Sequence, residues 1–107
     1  MAARAPNIAG LEWDDVNEEH ILEHVGPWLV EEMIQYNDWV AFPNTEGHPP
    51  ERVKIIGKTE SGIHVTVILE PPTRHNAGYW RPITAWMSEP LERRVYEKNR
   101  KRKGCKG

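Results

Sequence analysis

Apolar and polar positions alternate most regularly between Arg52 and Leu69. Arg52, Lys54 and Lys58 share one parity with Ile56, and Val53, Ile55 and Gly57 take the other. After Thr59-Glu60-Ser61-Gly62, Ile63, Val65, Val67 and Leu69 form an apolar parity against His64, Thr66 and Glu70. Two strands, Arg52 to Lys58 and Ile63 to Leu69, joined by a hairpin loop of about four residues, follow from this pattern. Upstream, the period changes. Asp14 or Asp15 offers an N-cap, and Asp15 with Glu18 has capping-box spacing, so a helix is expected over about Val16 to His24. Gly26-Pro27 stops it, and Pro27 can open a second helix whose Leu29, Val30, Met33 and Ile34 make one apolar stripe.

Trp39 to Phe42 predicts a short strand, and Pro43 to Pro50 a loop. Pro71 to Gly78 is a second loop. Tyr79 to Trp86 is a further strand in which Pro82 marks an edge or a bulge. Ser88 and Pro90 open a last helix with Leu91 and Val95 expected on its inner face. Short connections predict antiparallel pairing. The expected class is α+β: two N-terminal helices and a C-terminal helix packed on one face of a small antiparallel sheet. The expected layout is a flexible leader over 1–10, a single domain over 11–98 and a basic tail over 99–107.

Length and composition leave this architecture unchanged. A chain of 107 residues fits one domain with a thin core. The single cysteine, Cys105, excludes an internal disulfide framework, and no apolar run reaches the ~20 residues of a membrane span. Met1 to Gly10 lacks the apolar core of a signal peptide. A cytoplasmic, soluble protein with no membrane partner is expected. Charge changes the picture more. Residues 1–92 carry 15 acids and 6 bases, a sum of −9, while 93–107 carry 8 bases and 1 acid, a sum of +7. The acidic body argues against broad nucleic-acid binding, and the basic end is suited to phosphates.

If the apolar parities pack on the helices, Arg52, Lys54, Lys58, His64 and Arg81 share the other face, a surface able to receive phosphate. RNA cleavage without a metal needs a base for the 2′-hydroxyl, an acid for the 5′-oxygen, and cations on the transition state. His64 suits acid or base work near neutrality. Glu51 can serve as base, and Lys54, Lys58 and Arg81 can hold the phosphate. Arg93 and Arg94, with Arg52 and Arg74, add phosphate contacts. His20 and His24 stand at i, i+4, but HILEH lacks the HExxH order and no cysteine is near, so neither a metal nor another cofactor is expected.

Three segments then resemble one family. Glu12-Trp13-Asp14 with Asn17, His20-Ile21 and His24 is similar to the opening of the BrnT-type toxins. ERVKIIGKTESG (Glu51 to Gly62) is similar to their central ERxKxIGxSxxG. Ile83-Thr84-Ala85 with Glu92-Arg93-Arg94 and Tyr96 is similar to their closing ISAR…ERRxYE. The resemblance spans about residues 11 to 97. It implies a RelE-like fold and a ribosome-independent endoribonuclease toxin. It also implies neutralisation by a ribbon–helix–helix antitoxin, as a hetero-oligomer or with a homodimeric toxin, with Lys54, Lys58 and Arg81 on phosphate-binding positions. Trp86-Met87 stands where the family usually carries Arg-Lys. The alternative expectation is accordingly a non-catalytic relative of the same fold that binds protein or nucleic acid.

Overall fold

The computed structural model describes residues 6–43, 52–75 and 77–104, with the side chains of 101–104 left aside. In chain order the elements are β1 (Gly10–Leu11), α1 (Asp15–Leu22), α2 (Pro27–Tyr36), β2 (Trp39–Pro43), β3 (Val53–Lys58), β4 (His64–Glu70), β5 (Tyr79–Met87) and α3 (Pro90–Gly104). The sheet order is β1-β5-β4-β3-β2. The four longer strands pair antiparallel, but β1 lies parallel to β5, so the sheet is mixed rather than wholly antiparallel. The parallel pair follows from connectivity: β1 is separated from β5 by most of the chain and is bound by no hairpin geometry.

Local chemistry explains the boundaries. Asp14 is the N-cap of α1 and accepts from the backbone N–H groups of Val16 and Asn17, while Asn17 Oδ1 accepts from Asp14 N–H at 2.8 Å. The capping box is therefore Asp14 with Asn17, not Asp15 with Glu18. Pro27 opens α2, where its missing N–H leaves no bond unmade, and Asn37 closes it at φ 63°. In the β3–β4 turn, Gly62 adopts φ 93°. Buried Thr59 organises that turn, since its backbone N–H donates to Ile63 O and its hydroxyl accepts from Ile63 N–H. Pro82 stands at a register shift between β4 and β5, where Leu69 faces Pro82 and Ile68 faces Thr84. A residue without an amide donor is tolerated at such a bulge.

One sheet face carries Trp39, Ala41, Ile55, Val65, Val67, Leu69 and Ala85, packed with Leu11, Ile21, Val25, Val30 and Met33. That is the core under α1 and α2. The opposite face is also covered. Tyr96 of α3 is fully buried against Val40 and Ile56, with Phe42 at the margin. These residues alternate with the core residues of the same strands, so α3 lies on the other side from α1 and α2. The expectation of helices on a single face is corrected here. Its physical cause lies in α3: Leu91 is exposed, and the buried aromatic of the helix is Tyr96. An aromatic side chain of this size gains about 2–3 kcal/mol from burial, and Ile56 and Val40 offer it apolar ground.

Candidate functional site

Strand register lays out the face under α3. Lys58 of β3 sits opposite His64 of β4, Ile56 opposite Thr66, and Lys54 opposite Ile68. Thr66 and Ile68 in turn face Trp86 and Thr84 of β5. Lys54, Lys58 and His64 thus share one face. Arg52 and Glu70 lie beyond Lys54, with Arg52 Nη2 at 3.4 Å from Glu70 Oε2.

Three of the anticipated cations are held by carboxylates. Arg52 pairs with Glu70, Lys54 Nζ lies 3.3 Å from Glu92 Oε2, and Arg81 Nη1 binds Asp14 Oδ2 at the N-cap of α1. The Arg81 guanidinium, with the Asn17 N–H, holds the Asp14 carboxyl down at about 2. Arg81 is therefore occupied in joining β5 to α1.

Lys58, His64 and Arg93 make a second group. Arg93 Nη1 donates to Ser88 O at 2.8 Å, and Ser88 N–H donates to His64 O at 3.1 Å, so the start of α3 is tied to the start of β4. Neither Lys58 nor Arg93 forms an ion pair among the described residues. His64 meets the Tyr96 ring edge-on, with centroids 5.6 Å apart. Burial, then the Lys58 and Arg93 charges, push the His64 pKa below its usual value. Glu97 and Asp38 act the other way but are outweighed, so the imidazole is neutral at pH 7 and able to accept a proton, with two cations nearby that form no ion pair among the described residues. Of the other anticipated residues, Arg74 is exposed in the turn before β5 and Arg94 on the outer side of α3, apart from this group. Glu51 lies outside the described residues.

Residues given no site role by the sequence pattern hold α3 in place. Tyr96 Oη donates to Asp38 Oδ1 at 2.7 Å, and Arg100 Nε donates to the same oxygen at 3.1 Å. Burial and the Asp38 carboxylate push the Tyr96 hydroxyl well above its ordinary pKa, so it acts only as a donor. Burial raises the Asp38 pKa, but Tyr96, Arg100 and Lys58 together lower it below the ordinary value. Glu92 is more heavily bonded. Its Oε1 accepts from Glu89 N–H at 2.8 Å, Trp86 Nε1 at 3.0 Å and Thr66 Oγ1 at 3.1 Å. Burial raises its pKa, yet these donors and Lys54 outweigh it and leave the carboxyl below the ordinary range. Glu92 reaches back to Glu89 N–H as the carboxylate half of a capping box. Ser88 does not cap: its hydroxyl bonds Thr66 Oγ1 at 2.8 Å. The i, i+4 spacing of Glu92, Tyr96 and Arg100 was the available sequence signal for this inward stripe.

His20 of α1 and His24 in the turn after it are both exposed and meet edge-on with ring centroids 6.1 Å apart, and no metal-holding group of three or more His, Cys, Asp or Glu occurs among the described residues. Among those residues no helix is long and apolar enough to cross a membrane. Comparisons with protein families, with curated proteins and with solved structures each find no match to this chain.

Proposed function

We propose that this chain is a RelE-like, BrnT-type endoribonuclease toxin that cleaves RNA without a metal. The observation that carries the reading is the neutral imidazole of His64 beside Lys58 and Arg93, two cations that form no ion pair among the described residues. In the proposed reaction His64 takes the proton of a 2′-hydroxyl, whose oxygen attacks the adjacent phosphorus. The P–O5′ bond breaks, water protonates the departing 5′-oxygen, and a 2′,3′-cyclic phosphate remains. Lys58 and Arg93 stabilise the charge that develops on the non-bridging oxygens. The α–α–β–β–β–β–α order after β1 is compatible with a RelE-like topology. On the same reading a ribbon–helix–helix antitoxin is the partner and the cytoplasm the compartment.

A second reading is favoured by the ion pairs of Arg52, Lys54 and Arg81. Three of the anticipated phosphate contacts are neutralised, as in a non-catalytic relative that uses the fold for binding. End-labelled RNA incubated with purified protein in excess chelator separates the two. The nuclease reading predicts discrete fragments, with cleavage reduced about 10²–10⁴-fold in His64→Ala, the usual contribution of a general base. Intact RNA would leave only the binding reading.

A further inference from the structure

Apart from Glu89 N–H, the donors on Glu92 come from three adjacent strands: Lys54 from β3, Thr66 from β4 and Trp86 from β5. An ammonium, a hydroxyl and an indole N–H converge on two oxygens of one anion, and the Glu92 side chain is only 12% exposed. Capping Glu89 needs a single acceptor, so the remaining donors exceed what the helix start requires. Such a donor set suits a tetrahedral oxyanion as well as a carboxylate. We infer that Lys54, Thr66 and Trp86 form a binding cradle for a phosphate group, in which Glu92 is an internal stand-in that yields to the ligand.

Placement supports this. Thr66 lies two residues from His64 on the same strand face, about 6.7 Å along β4, comparable to the separation of neighbouring phosphates on an extended strand. Release of Glu92 does not orphan Thr66, whose hydroxyl already has Ser88 Oγ at 2.8 Å. It does free Lys54, which pairs with no other carboxylate among the described residues. The inference rests on the RNA reading for its ligand, but the cradle is testable without cleavage.

The reporter is the Trp86 indole N–H resonance, assigned with Trp86→Phe. Glu92→Ala protein is titrated with inorganic phosphate, and wild-type protein with a 2′-deoxy oligonucleotide, which lacks the attacking hydroxyl. Phosphate is expected to move the Trp86 signal in Glu92→Ala with affinity at least about tenfold above wild type, on the scale of one charge-assisted hydrogen bond. Adding Lys54→Ala should abolish that response. The oligonucleotide should move the same signal in wild type, and this arm decides if Glu92→Ala fails to fold. A response to phosphate alone assigns the cradle to small phosphates, and a response to the oligonucleotide assigns it to the nucleic-acid backbone. A Trp86 signal unmoved in both arms overturns the cradle, even if RNA is cleaved. A responsive Trp86 with uncut RNA keeps the cradle and removes the nuclease.

Discussion

Tyr96 joins α3 to the sheet by two separable means, and truncating it in two steps measures each. Tyr96→Phe removes only the hydroxyl, whose 2.7 Å bond ends on the Asp38 carboxylate. A hydrogen bond to a charged group contributes roughly 1.5–3 kcal/mol. The low end applies, because Asp38 keeps Arg100 at 3.1 Å and its side chain is 20% exposed. About 1.5 kcal/mol is therefore expected. Tyr96→Ala also removes a fully buried ring from Val40 and Ile56, and an aromatic-to-alanine change in a core costs about 3–5 kcal/mol. Urea denaturation at neutral pH measures both, with the midpoint falling and the slope unchanged in Tyr96→Phe. The ring also shields His64, so its removal should let the imidazole pKa climb towards about 6.5, followed by an NMR titration. A phenylalanine as costly as the alanine would refute the assignment of most of the energy to ring burial. An unchanged His64 titration in Tyr96→Ala would refute the claim that α3 keeps the imidazole neutral.

Other outcomes follow from the same geometry. Asn17→Ala should cost about 3 kcal/mol in urea denaturation, because its buried amide donates to Glu12 O and Pro82 O while its oxygen accepts from Asp14 N–H, each bond worth about 1 kcal/mol. Gly57→Ala should destabilise by about 1–3 kcal/mol, since a Cβ would stand 2.6 Å from Asp38 O and from Trp39 Cβ in a packed core. Stability should decline with acid in two stages, read by thermal melts from pH 8 to 2. The unfolded chain protonates its histidine near pH 6.5 before folded His64 does, so the first loss begins there. Folded Asp38, Glu92 and Asp14 lie below their unfolded values, so their contribution is present above about pH 4 and disappears as pH falls towards about 2, where Asp14 titrates.

The central hairpin was legible because alternation is a property of the chain alone. The parity that put Lys54, Lys58 and His64 on one face holds in the register. What covers that face was less legible. Leu91 and Val95 looked like an inner stripe by hydrophobicity, yet Glu92, Tyr96 and Arg100 make the contacts with the sheet and Asp38. A helix whose inward face is mostly charged gives weak periodicity, and its partners on β2, β3 and β4 are distant in sequence. Ion pairing was hidden for the same reason. Glu92 and Lys54 are far apart in the chain, as are Arg81 and Asp14. The parallel β1–β5 pair likewise joins segments with no local signal between them. Pro82 was the exception: its missing donor announced a bulge, and the register shifts there.

The proposal depends most on what His64 does to an RNA strand. The most direct measurement is the chemistry of the cut ends, with chelator present, for wild type, His64→Ala and Lys58→Ala. The account predicts 5′ fragments ending in 2′,3′-cyclic phosphate from wild type and at least about a hundredfold slower formation from His64→Ala. Lys58→Ala should be slowed by a similar factor. Cyclic ends formed at the wild-type rate by His64→Ala, or no cyclic ends from any of the proteins, would contradict it.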